Sequence, residues 1–176
     1  ARRTIYVENQ YLEVSEIVAA LDEALSRGVE VVLLLPAVPD FSSSIELTQE
    51  RSDFLESRAH LASYDNFTLC GIAGLGGDGH RKSVYVHSKL MLVDDEWATV
   101  GSCNLHYNSL FGNGELNAAF EDPATIRAMR VELFQEHLAV DTSEMSDTAA
   151  LRLFRRIASE NRQRHGYGDP NWQGLK

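Results

Sequence analysis

Cysteine is almost absent. Cys70 and Cys103 are the two in the sequence, too few for a disulfide framework and without the paired spacing of a metal knuckle. Proline is also scarce, at 4 residues against 12 glycines, which excludes collagen-like and low-complexity chains. No apolar run approaches the roughly eighteen residues that cross a bilayer. The opening Ala-Arg-Arg-Thr-Ile-Tyr-Val has neither the apolar core nor the small-residue cleavage site of a signal peptide. It also lacks an initiating Met, which reads as a fragment or a processed chain, and the compartment stays open. Basic side chains are the minority, 16 against 26 acidic, giving a formal charge of −10. That balance argues against a broad nucleic-acid-binding surface while leaving room for a local basic groove.

What is present is ordinary for a globular protein: 176 residues, 44% hydrophobic and 24% charged, enough for one domain with a sizeable core. Thr4–Val7 reads as a short strand. Val14, Ile17, Val18, Leu21 and Leu25 then recur at helical spacing, with Gly28 suited to the C-terminal cap. The run Val29-Glu30-Val31-Val32-Leu33-Leu34-Leu35 has the near-continuous apolarity of a strand covered on both faces. Strand, helix and buried strand make a βαβ unit and an α/β architecture.

Further along, Ser43 and Glu46 form a capping box opening a helix to about Ala62. Asn66–Gly71 reads as a strand, Gly74–Lys82 as a polar loop, and Ser83–Val93 and Trp97–Gly101 as two strands joined by the acidic turn Asp94-Asp95-Glu96. Glu115–Phe120 is the next strand. Asp122-Pro123 starts a helix with Asp as cap and Pro in the first turn. A last helix begins near Asp147, and the chain from His165 onward reads as irregular.

One window carries chemistry. His87-Ser88-Lys89, Asp94 and Gly101-Ser102-Cys103-Asn104 read H-x-K-x4-D-x6-G-S-x-N. On a strand, alternate side chains share a face, so His87 and Lys89 are expected to project together, with Ser102 and Asn104 just past the partner strand. Lys, Ser and Asn supply donors for a tetrahedral anion, and an imidazole can attack phosphorus or move a proton. Glu115 is the carboxylate placed to hold a ring nitrogen and fix its tautomer. Such a site stabilises charge with side chains, so it calls for no metal and no cofactor.

This spacing resembles the HKD and G-S-x-N signature of the phospholipase D superfamily. Upstream, Ile5-Tyr6-Val7-Glu8-Asn9-Gln10-Tyr11 is similar to the I-Y-I-E-N-Q-Y segment that precedes the second HKD motif of two-motif enzymes. The resemblance covers roughly residues 2 to 122. It implies that His87 is one of a pair of active-site histidines, that Lys89, Ser102 and Asn104 hold phosphate oxygens, and that Glu115 orients a histidine. It makes Asp94 and Gly101 structural members of the signature, and places Glu8, Asn9 and Gln10 in a layer behind the site. In the family one histidine forms a phosphohistidine while the other protonates the leaving alcohol; water or a second alcohol then resolves the intermediate. The nucleophile comes from the first motif, which makes His87 the acid–base partner.

Only one complete motif is present, whereas such a site needs two. Two arrangements follow: this chain is the C-terminal half of a longer two-motif enzyme, or it pairs with a second copy of itself. The implied fold is one phospholipase D-like half-domain over residues 1–176. It has a mixed sheet flanked by helices on both faces, and the C-terminal helices of residues 123–165 pack on it. The implied function is phosphodiester hydrolysis or transphosphatidylation on glycerophospholipids, at a soluble or membrane-peripheral location. A single-motif homodimeric phosphodiesterase or nuclease and a non-catalytic phosphate-binding or interaction domain are the rivals. The acidic flanks Asp94, Asp95, Glu96, Glu121 and Asp122 weigh against nucleic acid.

Other features have plainer readings. Gly74-Leu75-Gly76-Gly77-Asp78-Gly79 matches G-x-G-x-x-G literally but leads into a strand, whereas a dinucleotide site needs a helix there. The arginines of the last helix read as a solvated face rather than an anionic-lipid contact. Cys103 fills the free position of G-S-x-N and needs no catalytic role.

Overall fold

A computed structural model describes residues 1–37 and 59–174. Most of the helix expected from Ser43 lies outside the described residues, although residues 59–61 are helical. The architecture is α/β. Strand β1 (Thr4–Glu8) is followed by helix α1 (Ser15–Ser26) and strand β2 (Glu30–Leu34). The chain leaves α1 through Gly28 at φ +85°, a conformation glycine adopts without steric cost. β2 pairs parallel to β1, and β3 (Phe67–Cys70) pairs parallel to β2.

The rest of the sheet is antiparallel. β6 (Leu90–Val93) lies against β1, β7 (Trp97–Gly101) against β6 and, after the short helix α2 (Tyr107–Phe111), β8 (Asn117–Phe120) against β7. The order is β3-β2-β1-β6-β7-β8, so β1 is the seam between the parallel and antiparallel halves. Between β3 and β6 the chain forms a separate two-stranded ribbon, β4 (Ile72–Leu75) and β5 (Arg81–Val84).

Two departures from the sequence reading sit here. The glycine-rich stretch is a hairpin rather than a loop, closed by Gly76 N–H donating to His80 O at 2.8 Å. The expected strand Ser83–Val93 is broken: residues 85–89 belong to no strand. Val86 turns inward there and packs with Leu34 and Ile72, which takes the segment out of the sheet plane.

Helices cover both faces of the sheet, and β1 shows how. Ile5 and Val7 face α1, packing with Val18, Leu21, Ala24 and Leu25. Tyr6 faces the other way, toward helices α3 (Pro123–Leu138) and α4 (Asp147–Gly166), with Phe134 and Phe154 edge-on at 5.2 and 5.9 Å. Side chains alternate across a strand, so Glu8 follows Tyr6 toward α3. Asp122 caps α3 by accepting from Thr125 N–H, with Pro123 in the first turn. Helix α4 begins at Asp147 as read, is capped by Ser146, and runs to Gly166, past the point at His165 where the chain was expected to become irregular. Two of its arginines are engaged within the fold: Arg152 and Arg155 both reach the buried Glu30, at 2.7 and 2.8 Å. Among the described residues, no helix is long and apolar enough to cross a membrane.

Candidate active site

The β6–β7 hairpin positions the site, and its turn is held open by local chemistry. Asp94 and Asp95 both adopt positive φ, 58° and 52°, which suits aspartate in a tight hairpin turn. The Asp94 carboxylate accepts the amides of Arg2, Arg3 and Thr4 at 2.7, 2.7 and 2.8 Å. Burial alone would raise this carboxyl; the amides of Thr4, Arg2 and Arg3 hold it below the usual carboxylate range. Asp94 therefore faces the start of β1, away from the other signature residues. Asp95 takes the buried Arg130 of α3 at 2.8 Å, fastening that helix to the same turn.

At the opposite end of the hairpin, residues 85–89 approach the turn after β7. Gly101 N–H donates to Lys89 O at 3.0 Å, and Ser102 N–H to Leu116 O at 3.1 Å. A Cβ at Gly101 would overlap Leu116 O and Asn117 Oδ1, so glycine is required where this turn meets the stretch entering β8. His87 and Lys89 fall just before β6, outside the strand expected to carry them. Lys89 is only 9% exposed, and its Nζ donates to His87 O at 2.7 Å and Gln10 Oε1 at 2.5 Å. Burial pushes the Lys89 ammonium down, with the Glu115 charge acting against it. The His87 ring is exposed and stacks near Tyr85, centroids 6.2 Å apart.

Glu115 lies just before β8 rather than in it. It accepts from Ser102 Oγ at 2.5 Å; among the described residues it makes no hydrogen bond to the His87 ring. Ser102 Oγ in turn accepts from Leu116 N–H at 3.1 Å. Among the described residues, Asn104 Oδ1 is buried without a partner. The G-S-x-N turn is supported from β8, where Asn117 Oδ1 accepts the Cys103 amide at 3.1 Å.

The Glu8-Asn9-Gln10 segment continues from β1 beneath these residues. Asn9 Oδ1 accepts the amides of Gln10, Tyr11 and Leu105 at 2.9, 3.2 and 3.0 Å, so one amide oxygen joins the end of β1 to the stretch after Asn104. Gln10 bridges Lys89 and the Tyr85 hydroxyl. Glu8, buried at 6% exposure, accepts from Tyr6 Oη and His137 Nε2 on one oxygen, at 2.6 and 3.0 Å, and from Ser88 Oγ on the other, at 2.5 Å. Burial would raise the Glu8 carboxyl, but the donors His137, Ser88 and Tyr6 bring it down to about 2.

A primary ammonium, a hydroxyl, an amide, a carboxylate and an exposed imidazole thus line one end of a hairpin. The set can bind an anion and move a proton. Residues 1–138 match the family model described as the phospholipase D-like domain of cardiolipin synthase. The chain belongs to the phospholipase D-like family. It is 30% identical over 159 residues to cardiolipin synthase 2 of Bacillus cereus, covering 89% of this chain and 28% of that protein. Cardiolipin synthase 1 of Staphylococcus epidermidis is 28% identical over 132 residues, 74% of this chain and 24% of the relative. Phospholipase D zeta 2 of Arabidopsis thaliana is 26% identical, covering 82% and 19%. The chain therefore spans about a quarter of the length of these relatives or less. Two solved structures share the fold: NucT from Helicobacter pylori (TM-score 0.59, 20% identity, 77% and 78% coverage) and the phospholipase D family member Nuc from Salmonella typhimurium (0.53, 18%, 77% of each).

Within this phospholipase D-like domain, two features escaped the sequence reading. His80-Arg81-Lys82 repeats the H-x-K spacing, but it begins the β4–β5 ribbon's second strand, Lys82 is paired with Asp78 at 2.9 Å, and position 87 is not aspartate. His137 lies outside the signature. It completes the buried face of α3 with Ile126, Arg130 and Phe134, and a histidine on the apolar stripe of a helix beneath a strand-borne Glu8 was a readable signal.

Proposed function

We propose that the chain supplies one half-site of a phospholipase D-type phosphodiesterase or phosphatidyltransferase whose substrate is a glycerophospholipid. The observation that carries the reading is the Gly101 N–H bond to Lys89 O, which sets the H-x-K segment against the G-S-x-N turn. Lys89, Ser102 and Asn104 then hold the non-bridging oxygens of a phosphodiester. A histidine of the other half-site attacks phosphorus, and the bond to the leaving alcohol breaks as His87 donates a proton to it. Water or an acceptor alcohol next gives its proton to His87 and attacks phosphorus; the P–N bond breaks and the histidine is regenerated. Glu115, hydrogen-bonded to Ser102 and close enough to act on Lys89, keeps the anion-binding donors oriented. Similarity to cardiolipin synthases over most of this chain favours an alcohol, a second phosphatidyl glycerol unit, as acceptor.

The other half-site comes from the remainder of a longer chain, the arrangement favoured by the one-quarter coverage of the relatives. A second reading, two copies of this chain, is favoured by the like-sized solved structures, covered at 77–78%. The test is hydrolysis of a chromogenic phosphodiester and of phosphatidylglycerol by the purified chain in excess chelator, with His87→Ala as control. Activity lost in the variant supports two copies completing a site. No activity alone, with turnover on adding a polypeptide bearing the first motif, supports the half-site. Phosphate binding with no turnover in either arm leaves a non-catalytic phosphate-binding domain and sinks the proposal.

A further inference from the structure

We propose that His137 is a positioning residue for the site: through Glu8 it holds Ser88, and with it the segment that carries His87 and Lys89. The inference rests on the phospholipase D-type reading for its catalytic meaning, but the linkage is physical.

Residues 85–89 belong to no strand, and the Gly101 N–H bond to Lys89 O fixes their backbone at its C-terminal end. Three side-chain bonds tether them: Tyr85 Oη and Lys89 Nζ to Gln10, and Ser88 Oγ to Glu8. Ser88 is the residue between His87 and Lys89, so its anchor sets the direction in which both flanking side chains leave the backbone. The anchor's own orientation is set elsewhere. Glu8 Oε1 is held by Tyr6 from β1 and by His137 from α3, and only the remaining oxygen is presented to Ser88. A buried carboxylate is tolerated when its lone pairs are filled, and here three elements fill them. Removing the imidazole leaves Oε1 with the Tyr6 hydroxyl alone, and the carboxylate is free to rotate away from Ser88.

The protonation pattern follows from the same geometry. An ionised carboxylate only accepts, so Nε2 of His137 carries the hydrogen. Among the described residues Nδ1 is buried with no partner, so there the chain of bonds from Ser88 ends at His137. The other titratable groups bearing on the cluster are Glu136 of α3 and Cys70 of β3, which act on Tyr6. The Tyr6 hydroxyl, buried and beside Glu8, is pushed well above the ordinary tyrosine range and stays a donor.

The test compares His137→Leu, which fills the volume without a donor, His137→Gln, which restores one, and Ser88→Ala, which cuts the tether at an exposed residue. The readouts are the affinity of the chain for inorganic phosphate and the NMR titration of the His87 ring. His137→Leu and Ser88→Ala should each weaken phosphate binding about tenfold and shift the His87 resonances alike. His137→Gln should recover binding to within about twofold of wild type. The double variant should be no worse than either single one, because both break one linkage. Additive losses, or a His137→Leu protein that folds and binds like wild type, would overturn the proposal. Should His137→Leu fail to fold, wild-type phosphate affinity and His87 resonances in Ser88→Ala overturn it equally. Failure of wild type to bind phosphate counts against the proposed function, while the His87 resonances, which need no ligand, still decide the linkage.

Discussion

Replacing Asp94 with asparagine separates scaffold from chemistry inside the H-x-K-x4-D segment. The wild-type carboxylate accepts the amides of Arg2, Arg3 and Thr4 at 2.7–2.8 Å. Each such bond to a charged acceptor contributes about 1.5–3 kcal/mol. Asparagine keeps one acceptor oxygen and turns an NH2 group against at least one of those amides, while tolerating the φ of 58°. The expected cost is about 2–4 kcal/mol out of a total of order 5–15. For a chain of this size that lowers Tm by about 5–15 °C. Thermal unfolding, run beside inorganic phosphate binding well below the transition, is the assay. Phosphate affinity should stay within about twofold, because Asp94 faces the start of β1. The pH dependence carries a sign: the folded carboxyl sits below its ordinary value, so its contribution is complete above about pH 4. It disappears as pH falls through the lower folded value, and the two proteins converge in acid. A variant with unchanged Tm and abolished phosphate binding would refute the reasoning and move Asp94 into the chemistry.

Three further outcomes are expected. Glu8 is held at about 2 against a reference of 4.5, so wild type should lose roughly 3 kcal/mol as pH falls from 5 toward 2; urea midpoints across that range should fall less steeply in Glu8→Gln, and parallel curves would count against the buried network. Arg130→Met leaves Asp95 without its partner and should cost about 3 kcal/mol in urea unfolding; a loss below about 1 kcal/mol would show that the pair does not fasten α3 to the turn. Gly101→Ala forces a methyl into Leu116 O and Asn117 Oδ1 and should destabilise by about 2 kcal/mol or more while weakening phosphate binding; unchanged binding would mean the approach of the two turns is not needed.

What the sequence made legible was local. β7 occupies Trp97–Gly101 as read, and α3 begins at Asp122-Pro123 because capping and φ restriction act within one turn. The βαβ start was visible because β2 is covered on both faces and therefore apolar from Val31 to Leu34. The strand through His87 was misread because Val84 and Val86 continue an alternating pattern. Val86 in fact leaves the sheet to join Leu34 and Ile72, a contact that periodicity cannot foresee. The spacing of H-x-K and G-S-x-N placed the candidate residues at one end of a hairpin. It could not show that Lys89 turns back to His87 O or that Glu115 takes Ser102. The Glu8–His137 contact joins residues 129 apart and is set by how α3 lies across the sheet, which no short window encodes.

The seam at β1 has a consequence for how the molecule comes into being. Its parallel partner β2 follows after a single helix, and β6 and β7 pair through a turn of three residues, Asp94–Glu96, so each half can assemble from near neighbours. Joining them closes a long loop, the costly and slow kind of contact in folding. The tethers of the H-x-K segment cross that seam: Ser88 reaches Glu8 over 80 residues, and Lys89 reaches Gln10 over 79. The antiparallel half by itself carries Lys89, Ser102, Asn104 and Glu115, and joining the halves adds the two tethers that orient the H-x-K segment. Orientation of the H-x-K segment and closure of the sheet arrive in the same event.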